Sequence, residues 1–529
     1  MADTHNSHQP VPIVTWIGFA TMCIGMFMAI LDVQVVATSL PTIQNALAIA
    51  PDQMSWVQTA YLIAEVIAIP LTGLLTRVLS MRWLFVVAIS VFTLASLGCA
   101  TSTSFETLIA WRVVQGFSGG TLIPAVFSAV FLLFPPSRQG IATTLAGVLA
   151  VLAPTIGPIV GGWITQTYSW HFLFLINILP GIMSAVLAGW LLPREKPQLG
   201  AVRSLDIVSL VAMVIALAAL EIALKEAPHR GWLSGIVLGL LILSASSAIT
   251  FVRRTLSADP AIVDLTSFND RRFTIGCILS FALGVGLFGS VYLMPVFLAF
   301  VRGHNALEIG TIMLVTGVAQ LLAAPVAVAL ETRIDARLLT SIGFTIFAVG
   351  LGLSAFETPQ TDFQAMFWPQ VFRGFAIMFC LLPPTRLALG HLDKSRVADA
   401  SGLFNLMRNL GGAIGLALID TVIYSRAPVH AAALMAKIQQ GDAATATFIG
   451  IPLQLFQSRP AGPLDAGLQA MLQPMLEKAS LTEAINDAFA LTALLTLAAL
   501  CFIPFARLSA KGPPNEMPSP PVPSDIGMG

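Results

Sequence analysis

Long apolar stretches alternate with short polar ones along this chain. Apolar runs of 18 or more residues recur from Trp16 to the Leu-rich segment ending near Ile503, and each is long enough to cross a hydrocarbon core about 30 Å thick. The pattern predicts membrane helices at 13–36, 54–76, 83–101, 107–133, 140–164, 171–192, 205–224, 232–252, 273–299, 307–330, 338–356, 365–388, 399–424 and 485–507. That makes an all-α membrane protein with fourteen spans, an even number, so both termini lie on one side. The first twelve residues lack Lys and Arg, and the apolar run behind them is too long for a signal-peptide core, so the first span is expected to stay in the mature protein. One connection is unlike the rest. About 60 residues, Ser425 to Ala484, separate the last two spans, with an amphipathic run near Leu464 to Leu476 and Pro474 expected to end or kink it. A structureless loop of that length is uncommon unless it has a function.

Composition agrees with the pattern. Of 529 residues, 56% are hydrophobic and 10% charged, with a mean hydropathy of +0.84. Soluble domains carry about 25% charged residues, so a water-soluble enzyme is excluded. The net charge of zero removes the basic footprint that nucleic acid requires. Cys23, Cys99, Cys277, Cys380 and Cys501 fall singly inside apolar segments, and the seven histidines show no metal-ligand spacing. No phosphate-binding GKS/T loop appears. No catalytic residue, cofactor or metal is expected.

Lys and Arg accumulate in short cytoplasmic loops. With the N-terminus inside, the inner segments hold seventeen of them, including Arg77, Arg82, Arg138, Lys196, Arg203, Arg507 and Lys511, and the short outer loops hold three, Lys225, Arg230 and Arg302. Both termini are therefore expected in the cytoplasm, and the long loop outside it.

A shift of 258 positions superposes Gly116-Phe117 on Gly374-Phe375, Ser137-Arg138 on Ser395-Arg396, Ala142 on Ala400 and Gly157 on Gly415. The register holds through a helix, its polar loop and the next helix, so spans 4 and 5 read as copies of spans 12 and 13. Two six-helix halves then account for spans 1–6 (13–192) and 9–14 (273–507, including the loop 425–484). Spans 7 and 8 (205–252) form a pair inserted between the halves, and 1–12 and 508–529 are expected as cytoplasmic tails. Parallel halves of this kind describe secondary transporters with sites at the interface between halves.

Ionisable groups deep in a bilayer cost at least about 2.5 to 3.5 kcal/mol each and mark function by default. Asp32, Glu65, Arg112, Glu221, Arg408 and Asp420 qualify. Asp32 and Arg112 have similar depths, so an ion pair between them either couples protons or only holds helices together. Glu65 sits near the midplane with no cation at its depth, where a carboxylate can gain and lose a proton near neutral pH; otherwise it is a neutral acid bonded to a neighbouring helix. Glu221 and Asp420 are weaker candidates, expected to reach water near outer helix ends. In WRVVQGFSGG, Arg112, Gln115, Gly116, Gly119 and Gly120 share one helical face, and span 13 places Asn405, Arg408, Asn409, Gly412 and Gly415 on overlapping faces. The glycines permit close helix approach. With Gln34, the residues Gln115, Asn405, Arg408 and Asn409 are expected around a substrate cavity. In span 5, Gly157, Pro158, Gly161 and Gly162 suit a pivot, since proline removes a backbone donor.

These motifs resemble the major facilitator superfamily, in particular the fourteen-span drug:proton antiporter branch of EmrB/QacA type. LDVQVVATSLPTI in span 1, WRVVQGFSGG in span 4, APTIGPIVGG in span 5 and FNLMRNLGGAIG in span 13 carry the resemblance. It implies the major facilitator fold with an inserted helix pair, and proton coupling through Asp32 and Arg112. The gating motif between spans 2 and 3 departs from pattern: Gly73 and Arg82 fit, Arg77 stands where an acid is frequent, and Ser80-Met81 replaces Gly-Arg. The expected function is proton-coupled export of amphipathic drugs or toxic hydrophobic compounds across the inner membrane. The resemblance also implies a periplasmic adaptor and an outer-membrane channel as partners, and the long loop is expected either to dock the adaptor or to be a lid or spacer that binds nothing. The alternatives are a proton-coupled transporter of one metabolite and a non-transporting membrane sensor.

Overall fold

The computed structural model describes residues 11–48, 54, 56–195, 197–198, 206–258, 261–331, 333–451, 462 and 466–505. The terminal tails, with Arg507 and Lys511, and the linker positions Lys196 and Arg203 lie outside the described residues. Fourteen helices among the described residues are long and apolar enough to cross a membrane: Ile13–Ala37, Trp56–Leu79, Met81–Ala100, Phe105–Leu133, Pro136–Thr167, Phe172–Leu191, Ile207–Arg230, Gly235–Ser257, Arg271–Arg302, Leu307–Glu331, Ala336–Phe356, Phe363–Leu389, Lys394–Gln439 and Gly467–Phe505. They are numbered here as spans 1 to 14. Helix starts are fixed by short polar side chains that accept from otherwise unpaired backbone N–H groups. Ser104 and Thr107 form a capping box at span 4. Asp206, Asp270, Asp335 and Asp362 cap spans 7, 9, 11 and 12.

Because spans alternate in direction, Arg77, Arg82, Arg254, Arg386 and Arg396 gather at one end of the bundle, called the basic end below. Outside the spans, hydrogen bonds from Arg254 and then Ser209 hold the Asp206 carboxyl well below the usual carboxylate range. Arg254 binds it with two nitrogens at 2.8 and 3.0 Å, clipping the inserted pair together at that end.

The fold is that of two six-helix halves and an inserted pair. Their repeat appears as matched contacts: Gly116 lies against Tyr61 between spans 4 and 2, and Gly374 lies against Ala319 between spans 12 and 10, the same pair displaced by 258. Spans 5 and 10 join the halves closely, with Gly310 against Ile159 and Gly317 against Thr155. Span 7 packs on both span 2 and span 13. At the far end, Trp232 Nε1 donates to Thr421 Oγ1 at 3.0 Å, while span 8 is largely exposed and pairs mainly with span 7.

Two expectations need correction. Span 6 is not one continuous helix, since Phe172–Leu175 stops and Ile178–Leu191 restarts, leaving Asn177 at the break. The long connection is not a loop over most of its length either. Span 13 runs unbroken to Gln439, a short helix covers Ala443–Ile449, and the helix of span 14 already begins at Ala466. Alanine-rich sequence favours this continuation, and Leu434, Ile438, Ala446, Ile449, Leu472 and Leu476 close into their own apolar cluster. Pro474 falls inside the second helix and does not end it. Leu464 lies outside the described residues.

Candidate functional site

Asp32 and Arg112 meet. Nη1 of Arg112 lies 2.5 Å from Asp32 Oδ2, and both side chains are 0% exposed. Asp32 Oδ1 accepts from Gln115 Nε2 at 3.0 Å and from Asn177 Nδ2 at 2.8 Å. Gln115 Oε1 also accepts from Arg112 Nη1 at 2.7 Å, and its Nε2 donates to Ser96 Oγ at 2.9 Å. Arg112 Nε donates to the Val57 carbonyl at 3.0 Å, and the guanidinium carbon lies 4.4 Å from the Tyr61 ring centre. Four spans and the break in span 6 thus close around one buried carboxylate, and each of its oxygens has a partner. Gln115, expected on the substrate cavity, belongs to this sealed cluster instead. Its i+3 spacing from Arg112 turns it to the same side, toward Asp32.

A separate cavity of about 320 Å³ lies between the halves. Gln34, Glu65, Asn405, Arg408 and Asn409 line it, together with Glu221, Lys225 and Asp420. Its lining reaches from mid-span positions such as Ala150 and Asn405 to Thr59, Lys225 and Asp420 near the far end. Glu221 and Asp420 both line this cavity. Span 7 packs in the gap between spans 2 and 13, and that turns Glu221 inward. Tyr292 donates to Asp420 Oδ1 at 2.7 Å, and Lys225 Nζ stands 4.2 Å from the Trp56 ring centre. Arg408 is 8% exposed, lies against Phe127 and Phe404, and has no hydrogen-bond partner for Nε or Nη2. Glu65 is set by the glycine face of span 4: a Cβ at Gly120 would stand 2.5 Å from the Glu65 carbonyl oxygen.

The basic end is closed. Arg77 forms an ion pair with Asp399 of span 13 and donates to the carbonyls of Ala261 and Ile262 at 3.2 and 3.1 Å. Gly73 leaves the room, since a Cβ there would lie 2.7 Å from Asp399 Cα. Arg82 donates to the Gly189 carbonyl. Ser80, where the family pattern has glycine, holds φ at 70°, a conformation that normally favours glycine. Ser401 Oγ donates to the Pro124 carbonyl at 3.0 Å, and Arg396 binds Asp264 at 2.8 Å. Burial alone would raise the Asp264 carboxyl, but hydrogen bonds from Thr266 and Arg396 hold it below its usual range. In span 5, Gly157 packs against Gln34 of span 1, and the helix continues through Pro154 and Pro158. Gly161 and Gly162 are buried there, and Thr165 Oγ1 donates to both of their carbonyls, at 2.8 and 3.2 Å.

Sequence reasoning passed over Asn177, Asp399 and Arg373. A lone Asn within HFLFLINILPG was the available signal for the first. Asp399 stood at a predicted span boundary, where a carboxylate needs no explanation.

Residues 22–416 match the family model described as the Major Facilitator Superfamily, and the chain belongs to that superfamily of membrane transporters. Colistin resistance protein EmrB of Acinetobacter baumannii is 40% identical to it over 410 residues, 77% of this chain and 80% of that protein. Multidrug export protein EmrB of Escherichia coli K12 is 33% identical over 78% of this chain and 81% of its own length. Fatty acid resistance protein FarB of Neisseria gonorrhoeae is 30% identical over 78% and 82%. Within the superfamily the chain is thus EmrB-like. The human organic anion transporter MFSD10 shares the fold at a TM-score of 0.60 and 14% identity, covering 94% of this chain and 100% of that one.

Proposed function

We propose that this chain exports amphipathic, mostly apolar compounds in exchange for protons, as the inner-membrane permease of a tripartite efflux pump with both termini in the cytoplasm. One observation supports the coupling above others. Tyr61 and Glu65 are one turn apart on span 2; Tyr61 stacks on Arg112 of the sealed cluster, and Glu65 lines the cavity. A proton that neutralises Asp32 weakens its hold on Arg112, and any shift of the guanidinium is passed through Tyr61 to the cavity wall. Protonation and substrate release then bias the same two-state equilibrium between inward and outward access. The half at 13–192 rocks against the half at 273–507, and span 7 of the inserted pair (205–252) bridges them. In this reading the cavity faces outward, with Arg77 and Asp399 latching the cytoplasmic side. The relatives named for multidrug export and for colistin and fatty acid resistance favour export over uptake.

The test is purified protein in proteoliposomes carrying an imposed pH gradient and a cationic or neutral dye. Dye efflux coupled to proton influx is expected. Proton flux with one metabolite and no dye would leave the specific-transporter reading, and no flux of either kind would leave the sensor.

A further inference from the structure

The C half holds a second buried charge network that the proposed cycle does not use. Under the 258-residue shift, Arg112 falls on Gln370 and Gln115 on Arg373. The two halves thus carry the same Arg and Gln on the same face of equivalent spans, in swapped order. The shift also places Ser96 on Ser354 and Cys99 on Glu357. In the N half, Cys99 Sγ lies 3.6 Å from Gln115 Oε1. In the C half, Arg373 and Glu357 make no direct ion pair, and the buried Arg373 charge acts on the carboxyl from a longer distance. An asparagine from the last span of each half completes the likeness. Asn177 binds Asp32, and Asn486 Nδ2 donates to the Glu357 carbonyl at 2.8 Å while its Oδ1 accepts from the Glu357 N–H at 3.2 Å.

The networks differ in how far they are satisfied. Arg373 is 3% exposed and Glu357 7%. Arg373 Nη2 reaches Met294 Sδ at 3.5 Å, but Arg373 Nε, Glu357 Oε2 and Gln370 Nε2 have no partner. A buried carboxylate short of partners is cheaper protonated than charged. We propose that Glu357 is a second proton-binding site, in the C half, whose charged state is favoured by the buried Arg373 charge without the direct ion pair that joins Asp32 to Arg112. The proton comes from bulk water and returns to it. The other charged groups around it are paired: Asp362 is engaged by Arg302 at 2.8 Å and His304 at 3.2 Å, and Glu483 and Asp487, on either side of Asn486 on span 14, are engaged by His430 and Arg426. Burial pushes the Glu357 carboxyl up to about 8, with the Arg373 charge opposing. The group therefore loads and unloads close to physiological pH.

Its use in transport rests on the proton-driven reading above, whereas proton binding itself does not. Infrared spectroscopy of the full-length protein in detergent, titrated in pH, should show a protonated-carboxyl band with a midpoint near 8. Glu357→Gln should remove that band and Asp32→Asn should leave it. Arg373→Gln should raise the midpoint by about one to three pH units, and Arg373→Lys should nearly preserve it. A band unchanged by Glu357→Gln, or equal midpoints in the two Arg373 variants, would overturn the assignment. In proteoliposomes, Glu357→Gln should keep substrate binding and lower the proton-to-substrate ratio by about one. An unchanged ratio would overturn the coupling role. If the wild type drives no proton exchange at all, the infrared result still decides the site.

Discussion

The sealed Asp32 cluster and the open cavity stand side by side on spans 2 and 4, and they handle the cost of charge in lipid in opposite ways. Around Asp32 each carboxylate oxygen is hydrogen-bonded and the ion pair is excluded from solvent. In the cavity, Arg408 lacks acceptors for two nitrogens and Glu221 Oε1 lacks a donor. Arg112 Nη2 also lacks a partner, so the contrast lies in the carboxylates: one with both oxygens paired resists change until a proton arrives, whereas the under-paired cavity groups are poised for a guest. On the proposed function, this difference fits energy coupling in one region and recognition in the other, although both are lists of polar residues in apolar helices when read from sequence.

Breaking the sealed region should have the largest effect. Asp32→Asn keeps the shape and removes the titration, so pH-gradient-driven dye efflux should fall at least about tenfold, a loss of about 1.4 kcal/mol or more in transition-state terms, with insertion unchanged. Normal efflux would take Asp32 out of the coupling. Arg112→Ala should be as damaging, and Arg112→Lys less so. Lysine retains the charge but cannot serve Asp32, Gln115 and the Val57 carbonyl through one planar fork. Equal full activity in both variants would remove Arg112 from the mechanism.

The Arg77–Asp399 pair comes next, since on the proposed reading it latches the cytoplasmic side. Arg77→Asp should place two acids together at the basic end, favour cytoplasmic opening and lower efflux severalfold. The exchange Arg77→Asp with Asp399→Arg should recover much of it, because the pair is restored with its charges reversed. Cysteine accessibility at Asn405, compared between far-side and cytoplasmic reagents, reads the shift directly. A double variant no better than the single ones would deny the latch. The missing acid in the gating motif is thus compensated by an acid on span 13, which a motif scan of spans 2 and 3 alone does not reach.

Smaller effects are expected in the cavity. Glu65→Gln and Glu221→Gln should each weaken cationic substrates a fewfold relative to neutral ones. The double variant should exceed either, because both acids line one space. An unchanged preference for cations in all three would leave these acids without a part in recognition.

Much of the architecture was legible because it rests on local periodicity. Fourteen apolar runs, the repeat and the glycine faces are properties of neighbouring residues, and the Asp32–Arg112 pairing followed from matched depth. What was not legible depends on contacts between distant segments. Asn177 belongs with Asp32 because span 6 breaks there and brings a third donor to the same carboxylate. Glu221 faces the cavity because span 7 lies between the halves, a placement that hydropathy does not encode. Arg373 was passed over although it sits ten residues into span 12, since its acid lies outside the span on the preceding linker. Beyond Tyr424, alanine-rich sequence reads as polar loop by hydropathy and as helix by propensity, and propensity prevails once the apolar cluster around Leu434 and Leu472 closes.

That helical extension gives the prediction with the smallest effect on transport itself. Span 13 carries Asn405, Arg408 and Asn409 in the cavity wall and then continues about 22 Å past Tyr424, at 1.5 Å per residue, to Gln439. Its partner helix returns from Ala466 into span 14. The hairpin has its own core, and Met471, 64% exposed, and Val429, 54% exposed, lie outside it. A self-supporting projection beyond the mouth of the cavity suits a docking post for a periplasmic adaptor better than a lid, because its apolar residues are spent on one another and not on the cavity. Removing the segment between about Met435 and Ser480 deletes that core nearly as a unit, trimming the outer ends of the span 13 and span 14 helices and leaving the apolar stretches 399–424 and 485–507 in place. Dye efflux from proteoliposomes should then stay within about twofold of wild type, while whole-cell resistance and co-purification of the adaptor should be lost. Adaptor binding that survives the deletion would sink the docking role. Loss of efflux in proteoliposomes would instead make the hairpin part of the gate, and the boundary between coupling and recognition would have to extend outside the membrane.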